Sequence, residues 1–193
     1  MSEAEIPAGP LGEALDRLRE RFAGSVLDSS FVRGELSVRI LPSALLEVLR
    51  FLKHEAGFNA LNDVVGLDNL KPPAPRGTGG APAPPGTAGP AGEPGSAAPV
   101  PVGPSKRFTV LYLLYRFPEA RRIRVAVDLD EGESPDSAVA VYGAADWAER
   151  EIFDMFGIVF KGHPDLRRVY LPDEFEGFPL RKDFPLEGKV RAD

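Results

Sequence analysis

Between Lys71 and Ser105 the chain stops reading like part of a hydrophobic core. Of these 35 residues 11 are Pro, 8 are Gly and 7 are Ala, and none is aromatic. Such a stretch buries too little apolar surface to offset the entropy of ordering it. It reads as a disordered insertion with local polyproline II character. The insertion divides the chain into two flanks that must build one core between them, and together they are long enough to do so. Met1 to Pro10 reads as a flexible N-terminus.

The flanks alternate helix and strand patterns. Leu11, Leu15, Leu18 and Phe22 recur at helical spacing, with Gly24 as the stop. Residues 25–33 read as a strand and Arg33-Gly34 as a turn. In Glu35 to Ile40 the apolar Leu36, Val38 and Ile40 alternate with Glu35, Ser37 and Arg39, which predicts a half-buried strand. Ser43 can cap a helix carrying Leu45, Leu49, Leu52 and Ala56, stopped by Gly57. Phe58 to Asp68 is a weaker strand. Phe108 to Tyr115 is apolar on both faces apart from Thr109, as a covered central strand would be. Ile123, Val125, Val127 and Leu129 alternate in the next strand, and 144–156 has helical periodicity. The prediction is an α+β fold: a two-layer α/β domain over 11–70 and 106–160, with a mixed five-stranded sheet and helices on one face. The insertion joins strands at the sheet edge, where length is tolerated.

Composition removes several function classes. The chain has no Cys and only two histidines, His54 and His163, so thiolate zinc sites, iron–sulfur clusters and cysteine nucleophiles are excluded. Any redox centre is expected on another chain. The net charge is −6, and neither half is basic, which argues against nucleic-acid binding. No apolar run approaches the ~20 residues that span a bilayer, and Met1 to Pro10 lacks a signal-peptide pattern. A cytoplasmic protein that can attach peripherally to a membrane complex is the expectation.

In the helix over 144–156, Glu149 falls between apolar positions, where a carboxylate needs a partner. Two readings stand: an internal ion pair with a later arginine, Arg167 or Arg168, or a general acid–base group with a raised pKa. Arg150 and Asp154 read as a solvated i,i+4 pair. His163, in Gly162-His163-Pro164, reads as a hydrogen-bonded turn residue. A stand-alone hydrolase using Glu149, Asp154 and His163 is the alternative of another class. Residues 161–193 show neither periodicity, carry Pro164, Pro172, Pro179 and Pro185, and still keep scattered apolar residues from Leu166 to Leu186. They read as an extended arm laid over another protein, with Arg167, Arg168, Arg181 and Lys182 suited to carboxylates there.

Two blocks carry a family resemblance. Glu149-Arg150-Glu151-Ile152-Phe153-Asp154-Met155-Phe156-Gly157-Ile158, followed by Phe160-Lys161-Gly162-His163-Pro164-Asp165-Leu166-Arg167-Arg168, resembles a hallmark of the C subunit of respiratory NADH–quinone oxidoreductase, the 30-kDa subunit of complex I. Pro179-Leu180-Arg181-Lys182-Asp183-Phe184-Pro185-Leu186 resembles the second hallmark. The insertion is the one departure. The resemblance implies a non-catalytic subunit of the hydrophilic arm on the cytoplasmic face of a bacterial inner membrane. It implies the D subunit of the same complex as the main contact, the iron–sulfur B and I subunits as neighbours, and Pro179 to Pro185 as the partner interface. It further implies no cofactor on this chain, with NADH, FMN, iron–sulfur clusters and quinone held by other subunits. An equivalent subunit of a membrane-bound hydrogenase or another complex I-like oxidoreductase is the close alternative.

Overall fold

The computed structural model describes residues 9–70 and 106–185, so the insertion and both chain ends lie outside the described residues. Three helices and five strands follow in order: α1 (Pro10–Arg21), β1 (Val26–Val32), β2 (Glu35–Ile40), α2 (Leu45–His54), β3 (Ala60–Asp68), β4 (Phe108–Arg116), β5 (Arg121–Leu129) and α3 (Ala145–Phe156). Short 3-10 turns at Pro42–Ala44 and Ala138–Ala140 lead into α2 and towards α3.

The sheet order is β1-β2-β5-β4-β3. β1/β2, β3/β4 and β4/β5 pair antiparallel, and among these described strands one parallel seam joins β2 to β5. The sheet is therefore mixed, and the helices pack on one of its faces. Leu36, Val38 and Ile40 of β2, Ile123, Val125 and Val127 of β5, and Val110, Tyr112 and Leu114 of β4 meet Leu15, Leu18, Leu45, Leu49 and Leu52 in one apolar cluster. The period-2 side chains of the strands thus supply one wall and the helical stripes the other.

The half-buried reading of β2 is corrected by the structure. Ser37 and Arg39 are buried as well as the apolar residues between them. Arg39 crosses the parallel seam to an ion pair with Asp128, and Asp128 also accepts the Thr109 hydroxyl at 2.7 Å. A long side chain with a carboxylate partner on the neighbouring strand can lie flat on the sheet and cover it.

Helix α3 lies against edge strand β3 because β3 leaves room for it. A Cβ on Gly66 would sit 3.0 Å from the Phe156 ring and 3.3 Å from Ile152. Gly66→Ala should therefore lower stability by about 1–3 kcal/mol through overpacking. Gly143→Ala, where no atom lies within 4 Å, should stay within about 0.5 kcal/mol of wild type. Urea titration of the two variants checks the difference.

Candidate functional site

Helix α3 carries two carboxylates that are fully buried, Glu149 and Asp154, and each organises a different stretch of irregular chain. Asp154 Oδ2 accepts three consecutive backbone N–H groups, from Val169 at 3.1 Å, Tyr170 at 2.8 Å and Leu171 at 3.0 Å. Its other oxygen pairs with Arg168 at 3.3 Å. Burial alone would raise this carboxyl group's pKa, but the three N–H bonds and the arginine outweigh it and hold the group below the usual carboxylate range. The solvated Arg150–Asp154 pair is thus replaced. Residues 168–171 cover that side of α3, while Arg150 donates to Arg167 O at 3.3 Å and lies 5.2 Å from the Trp147 ring centre.

Glu149 faces the other way. It accepts the Ser137 hydroxyl at 2.6 Å and the Ala138 N–H at 2.7 Å, and His163 Nε2 stands 4.0 Å away. The expected ion pair with Arg167 or Arg168 is corrected: Arg167 pairs with Asp165 and Arg168 with Asp154. Two neutral donors from the turn before α3 take the place of a cation, and burial pushes the Glu149 carboxyl group up. His163 is a hydrogen-bonded turn residue. Its Nδ1 accepts Asp165 N–H at 3.1 Å, which leaves Nε2 to donate to Asp146 O, also at 3.1 Å. Pro164 stays exposed beside it, and Gly162 takes a left-handed φ of 75°. On the outer face, Glu151 accepts the Tyr170 hydroxyl at 2.5 Å.

The second hallmark block folds back on the first. Leu180 N–H donates to Met155 O at 3.2 Å, and Arg181 Nε to Phe156 O at 2.6 Å. These carbonyls end α3, where unpaired acceptors and the negative end of the helix dipole favour a cation. Gly157 makes this approach possible. Its φ of 74° is left-handed, and a Cβ there would come within 2.5 Å of Phe178. The Arg181 guanidinium sits 5.2 Å from the Phe108 ring centre and 4.7 Å from that of Phe178, and pairs with Glu131 at 2.8 Å. Lys182 N–H donates to Asp68 at 2.9 Å, Asp183 pairs with Arg107 at 2.8 Å, and Phe184 stacks on Phe175. Leu180, Lys182, Asp183 and Pro185 are exposed, while Pro179, Arg181 and Phe184 are partly covered.

Among the described residues no group of three or more His, Asp or Glu is placed to hold a metal ion, and no helix is long and apolar enough to cross a membrane. The arrangement is a clamp that fixes an irregular segment on a helix and a sheet end.

Residues 38–190 match the family model described as the 30-kDa subunit of the respiratory-chain NADH dehydrogenase. The chain belongs to that family. The C subunit of NADH-quinone oxidoreductase from Citrifermentans bemidjiense is 38% identical over 92% of this chain and 91% of its own length. A solved trypsin-resistant fragment of Nqo5 is 30% identical, with a TM-score of 0.55, over 79% of this chain and 99% of the fragment. A chain of an archaeal membrane-bound sulfane sulfur reductase shares the fold, with a TM-score of 0.64 over 94% of each chain at 17% identity.

Sequence reasoning missed the inner half of the clamp. Asp68, Arg107 and Glu131 hold the second block, and Ser137 holds Glu149. They lie at strand ends and in turns, where no periodicity marks them. Phe178, directly after Gly177, was visible only as one apolar residue among several.

The two α3 carboxylates should report opposite pH dependences. Asp154, depressed in the folded state, stabilises above about pH 4 and loses that contribution as pH falls through its folded pKa. Asp154→Asn should cost about 3 kcal/mol at pH 7, and the gap to wild type should narrow below about pH 4. Glu149, raised in the folded state, favours folding at low pH and loses that contribution as pH rises above about 4.3. Glu149→Gln should therefore gain on wild type as pH rises above about 4.3. Thermal melts of the three proteins from pH 3 to 8 check both signs.

Proposed function

We propose that the chain is a non-catalytic structural subunit of the hydrophilic, peripheral arm of a proton-pumping NADH–quinone oxidoreductase at the cytoplasmic face of a bacterial inner membrane. It packs against the D subunit of that complex through Pro179 to Pro185, with the iron–sulfur B and I subunits nearby, and so supports electron transfer from NADH to quinone. NADH, FMN, iron–sulfur clusters and quinone are held by the other subunits. One observation carries this reading: a family match from residue 38 to 190 includes both hallmark blocks, and they fold onto each other.

The clamp supports a division of labour within the second block. The backbone of 180–182 and the Arg181 side chain face inward to Met155, Phe156 and Asp68. The Leu180 side chain, 55% exposed, and Lys182 face outward, where a partner can reach them. A large apolar side chain on a fixed backbone is a suitable anchor, because little conformational freedom remains to be lost on docking.

A tagged copy expressed in its own host and purified with gentle detergent should bring down the D subunit and the iron–sulfur subunits with NADH:quinone activity. Leu180→Asp should keep the wild-type melting temperature within about 2 °C, since the change is at an exposed position. It should nevertheless recover less than about a tenth of the D subunit, the loss expected when a central anchor is removed. The same partners with hydrogenase activity would move the chain to a related complex. A lone protein under these conditions would overturn the reading.

A further inference from the structure

The end of the sheet opposite the clamp carries a second built surface. β4 turns into β5 through Arg116-Phe117-Pro118-Glu119-Ala120-Arg121-Arg122, three arginines and one glutamate in a chain whose net charge is −6. The turn is held rigidly. Asn59 accepts Phe117 N–H at 3.2 Å and donates to Phe117 O at 3.1 Å. Arg116 bonds Ala56 O at 3.0 Å and Glu119 at 3.2 Å. This scaffold holds the Phe117 side chain in solvent, 66% exposed, the most exposed of the large apolar residues described.

Beside the turn, on the face of the sheet away from the helices, lies an open groove of about 440 Å³. Leu61, Leu113 and Tyr115 contribute its apolar lining, and Arg122, Arg124 and Glu35 its charged one. Glu35 pairs with Arg124 at 2.5 Å and with Arg122 at 3.3 Å. One carboxylate thus serves two guanidinium groups, and the Arg122 side chain remains 67% exposed. Arg121 next to it is exposed too. A positive field on an otherwise acidic protein selects partners of negative charge. Aromatic and arginine side chains on a rigid support are the residue types that dominate interface energies.

We propose that the β4–β5 turn and this groove dock an acidic, extended segment of a neighbouring protein in the assembly. Its carboxylates would pair with Arg121 and Arg122, and its apolar side chains would cover Phe117 and Tyr115. The surface is separate from the second hallmark block: β4 and β5 run about 27 Å between the two ends. The identity of the neighbour rests on the proposed function; the surface itself does not.

The test uses the assembled complex from the native host. Phe117→p-benzoylphenylalanine is introduced and photo-crosslinked, and the attachment site is mapped by mass spectrometry, with Leu180→p-benzoylphenylalanine as a parallel probe of the hallmark block. A crosslink from position 117 to a segment of another subunit holding at least two Asp or Glu within about five residues is expected. Arg121→Glu together with Arg122→Glu should lower that crosslink at least about tenfold, while loss of the exposed Arg122–Glu35 pair costs no more than about 1 kcal/mol, so that the variant still folds and assembles. A crosslink to a neutral or basic segment, to this chain alone, or to nothing overturns the docking surface. So does a yield unaffected by the charge reversal. If position 180 crosslinks the D subunit while position 117 fails, the docking surface falls and the proposed function stands; if position 117 succeeds while position 180 fails, the docking surface stands and the proposed contact with the D subunit through Pro179 to Pro185 falls.

Discussion

A segment with prolines at 164, 172, 179 and 185 cannot satisfy its backbone through a helix or a sheet ladder, so its N–H groups need acceptors from elsewhere. Asp154 provides one buried carboxylate for three of them in a row. That arrangement has no partial version. Without the segment the carboxylate would lose every donor that holds it and return to solvent; without the carboxylate three amides and Arg168 would lose their acceptor. The course of the chain from Arg168 to Leu171 is therefore tied to a residue on α3, and everything after it starts from a fixed point.

The position of α3 is itself inherited from the sheet. The parallel β2/β5 seam joins two antiparallel units, and the Arg39–Asp128 pair crosses it on the face away from the helices. On the other face, Gly66 lets Phe156 and Ile152 approach β3. This brings the carbonyls that end α3 near Asp68, Phe108 and Glu131, all at one end of β3, β4 and β5. Arg181 then meets a helix terminus, two aromatic rings and a carboxylate at once. The packing of small against large residues sets that coincidence; the charges exploit it.

What could be read from the residues follows the same division. The three helices and strands β2 and β5 announce themselves because their apolar side chains recur with a period of about 3.6 or 2, and β4 because it is apolar on both faces; β1 and β3 carry no such period. The two hallmark blocks announce themselves as a resemblance. The partners of buried charges do not. Glu149 has the look of an ion-pair member, yet its needs are met by a hydroxyl and an amide from the turn at Ser137-Ala138. Asp154 has the spacing of a solvated pair, yet the returning chain covers it. In both cases a long-range contact decides the outcome, and nothing in local spacing encodes which distant segment will arrive. The alternation in β2 failed for a related reason, since Arg39 finds its carboxylate one strand away.

The hallmark blocks combine two kinds of residue that a sequence pattern alone cannot separate. Asp154, Gly157, Arg168 and Arg181 face inward and define a shape. Leu180, Lys182 and Pro185 stand on that shape facing outward. If the outer residues meet another protein of the complex, the inner ones contribute to that contact without touching it. They remove conformations that docking would otherwise have to exclude, at about 1–2 kcal/mol per residue of backbone. A segment of seven residues fixed beforehand from Pro179 to Pro185 thus saves a free energy comparable to that of a protein–protein contact. On this argument the strictest demands on sequence fall on the buried supports, because a displaced support moves every outward side chain at once, whereas an outward side chain affects only its own contact.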